Sequence, residues 1–210
     1  YGNTLTIAAV VAVLQTIVVI CVSYALSRMR FAGRRALMNF WLVLGMFPGF
    51  LTMICLYFLL KQLGLTQAGA VPGLILITVA SSGMGYYVCK GFFDTIPKAL
   101  DEAAYIDGAT KWQVFTQIIL PLSKPIIVYT AISSFLGPWV DFIFAKVICR
   151  ADASQFTVAI GMWKMLEMEF INGWFTRFCA AAVLVSIPIA ILFMITQKFY
   201  QEAMGGAVKG

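Results

Sequence analysis

Five apolar stretches set the limits on what this chain can become: Leu5–Leu26, Ala36–Leu60, Val71–Phe92, Ile126–Val147 and Phe178–Tyr200. Each is about as long as the roughly 20 residues a helix needs to cross the hydrocarbon of a bilayer. A helix bonds every interior backbone group to itself, which is what a solvent without water demands. Composition agrees. The 210 residues are 61% hydrophobic and only 11% charged, with a mean hydropathy of +0.91, far from the balance of a soluble domain. The expected fold is all-α, a polytopic helical bundle of five spans forming one transmembrane domain over residues 1–210. The first run is a poor signal peptide, being too long, without preceding bases and without a small-residue cleavage site.

The net charge of +6 does not point to nucleic acid, because the basic residues are scattered between apolar runs and form no patch. They report orientation instead. Arg28, Arg30, Arg34 and Arg35 lie between the first two runs with no acid among them, which makes that connection cytoplasmic. Alternation then places Lys90, Lys98, Lys111, Lys124, Lys198 and Lys209 on the same side, leaving five bases outside. The N-terminus of this fragment is expected outside and the C-terminus inside, in a multi-pass cell-membrane protein.

Chemistry-bearing residues are sparse. There is no histidine, which removes the commonest metal ligand and general base. Cys21, Cys55, Cys89 and Cys179 sit in apolar runs and Cys149 in a polar loop, with no zinc or redox spacing. Four of the five read as small buried apolar residues. No catalytic residue, metal site or cofactor of its own is expected.

Against this background the stretch "DEAAYIDGATKWQVFTQIILPL", Asp101–Leu122, is out of place. It parses as two short helices around a glycine. Pro97 suits a first helical turn. From Lys98 to Asp107 a winding of 3.6 residues puts Leu100, Ala103 and Ala104 on one face, with Lys98, Asp101, Glu102 and Tyr105 opposite. Gly108 suits a left-handed helix end. Trp112, Phe115, Ile118 and Ile119 form a second apolar face, which Pro121 is expected to end. Such short helices need a surface to lie on. The loop's four bases are balanced by Asp94, Asp101, Glu102 and Asp107, which suits a protein knob better than a lipid anchor.

These residues carry a resemblance. Glu102-Ala103-Ala104, three residues, Gly108, nine residues, Ile118, one residue and Leu120-Pro121 resemble the EAA loop of permease subunits in binding-protein-dependent ATP-binding-cassette importers. "NTLTIA" near the start, "GPWVDFIFAKV" from Gly137 and the closing "FYQEAMGGAVKG" are similar to the maltose/maltodextrin (MalG-like) type, across essentially the whole chain. The resemblance implies a MetI-like helical permease for carbohydrate import, hydrolysing nothing itself. It implies partners: a second, MalF-like permease, an ATPase dimer that holds the ATP and Mg, an extracellular or periplasmic sugar-binding protein, and membrane lipid. Residues 94–121 would be the cytoplasmic coupling loop, with Glu102, Ala103, Ala104, Asp107 and Gly108 docking to the ATPase. Gly205, Gly206 and Lys209 would belong to a tail reaching the ATPase interface. A cytoplasmic leader and one further span, which the resembled family carries, are expected to precede Tyr1.

Other features are weighed on the residues alone. Gly137-Pro138 is a candidate hinge or packing kink in the fourth run. Gly83 and Gly85 beside Ser81 and Ser82 read as a close helix contact. Asp141, an acid in an apolar run, has water, Lys146 and Arg150 within expected reach. Trp139, Trp163 and Trp174 read as interface-belt aromatics. The tail "AMGGAVKG" is not expected to hold a helix. The alternative function, a membrane-embedded enzyme acting on lipid or glycan, requires a cluster of acids, bases or metal ligands that the runs do not contain.

Overall fold

The computed structural model describes residues 1–167 and 171–206. Among them every regular element is helical. α1 (Gly2–Arg28) has no proline and no acid; at 1.5 Å per residue it is about 40 Å long. It is followed by α2 (Arg34–Gly45), α3 (Gly49–Gln62), α4 (Ala70–Ala80) and α5 (Gly83–Thr95). The short α6 (Lys98–Ile106) and α7 (Lys111–Leu122) come next. Then follow α8 (Lys124–Val140), α9 (Ile143–Cys149), α10 (Val158–Met165) and α11 (Ile171–Gly206).

By length and composition, α1 and the Gly173–Met194 part of α11 can cross a membrane unaided; counting each bent helix pair as one span gives up to five. The second run, expected as a single helix, is interrupted at Met46–Pro48. Pro48 lacks an N–H and disfavours a helical predecessor, so α3 starts afresh behind it. The third run opens at Ser81–Ser82, where serine hydroxyls compete for backbone partners. The fourth stays helical through Gly137-Pro138, with Asp141 N–H donating to Gly137 O at 3.2 Å. It opens only at Asp141–Phe142, where the Asp141 carboxylate accepts from Phe144 N–H at 3.3 Å and starts α9.

The chain divides into two compact units. The first gathers Tyr1–Gln15, Phe47–Ser81 and Ile132–Ile195; the second gathers Thr16–Met46, Ser82–Ala131 and the residues from Thr196. In the first, Ile7 and Val11 of α1 pack with Leu60, Leu74, Ile77, Ile148 and Ile160. Thr4 Oγ1 accepts from Val158 N–H at 2.8 Å, and Asn3 donates to Ser154 O and Phe156 O. Gly73 is required here: a Cβ would fall 2.2 Å from Leu65 O. Trp139 is buried in a smaller cluster with Ala8 and Val158, its ring edge-on to Tyr1. It is therefore a core residue, unlike the exposed Trp163 and Trp174.

In the second unit Val19, Ile20 and Tyr24 of α1 pack with Tyr86, Cys89 and Phe93 of α5 and with Val114, Phe115 and Ile119 of α7. Gly85 brings α5 to α1, its Cβ position 3.5 Å from Val19, whereas Gly83 faces open space. Cysteine burial also departs from expectation. Cys149 is buried, its thiol donating to Gln155 O, while Cys21, Cys55 and Cys179 are exposed. The apolar surface is wide, including Val13, Ile17, Phe50, Phe58, Val183 and Leu184; far more apolar area lies exposed than a soluble monomer tolerates.

α11 runs on through Gly205 and Gly206, contrary to the expectation that these glycines stop it. Each costs about 1 kcal/mol in a helix, which a helix already nucleated and 36 residues long absorbs because propagation is cheap beside nucleation. Lys209 lies outside the described residues.

Candidate coupling site

The polar stretch folds entirely within the second unit. Pro97, with φ −57° and ψ 129°, is the N-cap of α6 and not part of its first turn. The helix ends at Ile106 with Asp107 as its C-cap, and Gly108 takes φ +85°, the left-handed turn its position demanded. Thr110 then closes a capping box with Gln113. Its hydroxyl accepts from Gln113 N–H, and the Gln113 side chain accepts from Thr110 N–H at 2.7 Å. α7 does not end at Pro121. It widens into a π turn over Val114–Ile119 and continues to Leu122, since a turn bonded i to i+5 lets a helix absorb local irregularity.

The buried face of α6 differs from the one apolar winding predicts. Asp101, 7% exposed, and Ala104 face inward, while Leu100 is 42% exposed. The cause lies 73 positions earlier in the chain. Arg28, the last residue of α1, has its side chain only 4% exposed, and its Nη1 stands 3.3 Å from Asp101 Oδ2. Its Nη2 donates to Phe93 O at 2.9 Å and to Ile96 O at 2.7 Å. These are carbonyls at the end of α5, where the regular helix ladder stops; Phe93 O also accepts from Ile96 N–H at 3.2 Å. An acid brought to that guanidinium outweighs the burial of one leucine side chain, because a buried lone cation is far costlier. Burial pushes the Asp101 carboxyl up from its ordinary value, while Arg28 pulls it down. Beside this pair Ser27 Oγ donates to Asp94 Oδ1 at 2.6 Å, and Lys90 pairs with Asp94.

Of the five docking residues expected from the motif, Glu102, Ala103, Asp107 and Gly108 lie exposed, and Ala104 packs into the core. Two residues of this surface escaped sequence reasoning. Ile106 is 86% exposed and Trp112 is 69% exposed. Spacing set Trp112 on one apolar face with Phe115, which is buried; the available signal for Ile106 was an isoleucine set against Asp107-Gly108 at a helix end. Leu100 and Tyr105 of α6 are exposed as well, as are Glu102 and Asp107, so the stretch presents a tryptophan and a tyrosine, side-chain types that anchor interfaces.

A second feature belongs to the first unit. A cavity of about 630 Å³ is lined by Gln15, Thr52, Thr78, Ser81 and Asp141 among apolar residues that include Phe50 and Phe144. Asp141 forms no ion pair among the described residues. Lys146 lies over the Phe142 and Trp163 rings and Arg150 over Tyr57, so the two bases expected near Asp141 are engaged elsewhere. Among the described residues no cluster of His, Cys, Asp or Glu is arranged to hold a metal ion.

The family described as the binding-protein-dependent transport system inner membrane component matches residues 17–205. The galactooligosaccharides transport system permease protein GanQ of Bacillus subtilis (strain 168) is 36% identical over 100% of this chain and 74% of its own length. The maltodextrin transport system permease protein MdxG of the same organism is 34% identical over 100% and 75%. The maltose/maltodextrin transport system permease protein MalG of Escherichia coli (strain K12) is 35% identical over 90% and 64%. Among solved structures, a chain of a bacterial ABC transporter involved in import of the acidic polysaccharide alginate superposes with a TM-score of 0.79. The match covers 95% of this chain and 74% of that one at 23% identity, a likeness of fold.

Proposed function

Because the chain belongs to the inner membrane components of binding-protein-dependent transport systems, we propose that it is a permease subunit of an ATP-driven oligosaccharide importer. The maltodextrin and galactooligosaccharide permeases to which it is similar support that substrate class. Its partners in this reading are a second, MalF-like permease, an ATPase dimer that carries the ATP and Mg, and an external sugar-binding protein. The Arg30–Arg35 connection, the coupling loop and the C-terminus lie on the cytoplasmic side, and five helical crossings pass through the cell membrane. The Gly137-Pro138 segment serves as the hinge in the fourth crossing, and the tail with Gly205, Gly206 and Lys209 reaches the ATPase interface.

The observation that carries the reading is that Ile106 and Trp112 stand exposed within the motif spacing while Asp101 and Ala104 of the same stretch are buried, which makes an apolar cap available to a partner. A motor protein that closes on ATP must grip something rigid, and a cap of this kind offers a central anchor with a charged rim. Glu102 and Asp107 supply the rim, Gly108 the turn, and Ala104 the packing behind the cap.

Glu102→Lys and Gly108→Pro test it. Both variants should reach the membrane in normal amount. ATPase recovery in a pull-down should fall at least about tenfold, the scale of one or two lost hot-spot contacts, and sugar uptake should fall with it. Normal uptake by both variants would refute docking through this loop.

A further inference from the structure

Docking alone does not move a helix in the membrane; the motion of α6 has to be handed on. At the base of α6 sits a single guanidinium that touches three elements. Arg28 terminates α1, bonds the carbonyls of Phe93 and Ile96 at the end of α5, and faces Asp101 in the first turn of α6. α1 continues without a break from Gly2 to this residue, so a displacement of Arg28 is carried along a rigid rod. We propose that the Arg28–Asp101 pair is the joint that transmits coupling-helix motion to α1 and α5. These are positioning residues that touch neither the ATPase nor the transported sugar.

The chemistry of the pair suits a joint better than a rivet. The contact at 3.3 Å is an ion pair without hydrogen-bond alignment, and Arg28 Nε, Arg28 Nη1 and Asp101 Oδ1 are buried without a protein partner. An arginine fork can meet a carboxylate through two parallel bonds, so a small shift of α6 gains hydrogen bonds that this arrangement lacks. Burial keeps water from competing, and the carbonyl bonds to α5 hold the guanidinium in place while the carboxylate moves. A plain packing contact would have no such second arrangement to adopt, and coupling between sites needs an element with two.

The inference rests on the coupling-loop reading, and its test separates the two. The assembled importer is reconstituted with Arg28→Gln, with Asp101→Asn and with the double variant, and sugar moved per ATP hydrolysed is measured beside ATPase recovery. With Arg28→Gln, recovery and basal hydrolysis should stay within twofold of the unaltered complex, while sugar moved per ATP falls about tenfold, within the usual range of coupling between sites. Adding Asp101→Asn should restore any loss of membrane level, because it leaves no unpaired carboxylate in the core, while sugar moved per ATP stays low, because no ion pair is left to re-form. An unchanged ratio in Arg28→Gln overturns the proposal. So does a loss that appears only with reduced membrane level or ATPase recovery and that the double variant relieves, for then the pair merely holds the fold. Loss of ATPase binding in Glu102→Lys with no effect of Arg28→Gln leaves the docking reading standing and removes the joint alone.

Discussion

In the first unit Lys146 lies over the rings of Phe142 and Trp163, Arg150 over Tyr57, Lys164 over Phe156 and Arg177 over Trp174. In the second, Arg28 and Lys90 face the carboxylates of Asp101 and Asp94. Among the described residues all ion pairs belong to the second unit and all cation–ring contacts to the first. A ring face attracts a cation over a broad area and leaves part of the ammonium in water. A carboxylate is a more directional partner, offering a cation discrete bonding positions. The first arrangement suits the edge of a lipid-facing bundle, where side chains slide and snorkel. The second suits a loop whose position must be specified by chemistry, because its helices are too short to specify it themselves.

That contrast is broken most directly by adding bulk behind the cap. Ala104→Leu pushes into a packed core and should cost about 1–3 kcal/mol, read as a lower melting temperature of the purified complex. Ala103→Leu, one residue along on the exposed face, should change stability by no more than about 0.5 kcal/mol. Equal effects would mean that α6 is not anchored on the face described. A smaller loss is expected from Thr110→Val, which removes the hydroxyl of the capping box and should cost about 1 kcal/mol. Faster amide exchange at Gln113, with exchange at the start of α10 unchanged, is the expected signature. The smallest effect belongs to the first unit. Lys146→Gln and Trp163→Leu should be coupled by only about 0.5 kcal/mol in a double-mutant cycle. A coupling as large as that of a buried ion pair would erase the distinction between the units.

Much of this was legible in the residues. The five apolar runs became helical segments because a long apolar sequence in lipid has few other ways to satisfy its backbone. The EAA spacing located the turn of the polar loop because Gly108 takes φ +85°, a conformation that few residues other than glycine take easily. The helix interruptions were harder. Pro48 carries a local signal, yet the openings at Ser81–Ser82 and Asp141–Phe142 depend on which neighbour receives each freed backbone group. The inward face of α6 was not readable from its own nine residues at all. Winding favoured Leu100, and only the arrival of Arg28 from α1 makes the Asp101 side the buried one. The exposure of Ile106 follows from the same rotation, whereas Trp112 belongs to the next helix, beyond the Gly108 turn.

The π turn at Val114–Ile119 gives the motif a metrical meaning. A turn bonded i to i+5 holds one residue more than an ordinary α turn, and it begins inside the nine-residue interval between Gly108 and Ile118 and runs past it to Ile119. The interval therefore measures a helix with one residue inserted. Deleting one residue there would let the turn tighten to α geometry, keeping Leu120-Pro121 in phase with the core. Inserting one into an ordinary turn elsewhere in α7 would swing every later side chain by about 100°. What reads as a count along the string is thus a phase relation around an axis, and the tolerated error in that count is confined to one place and one sign.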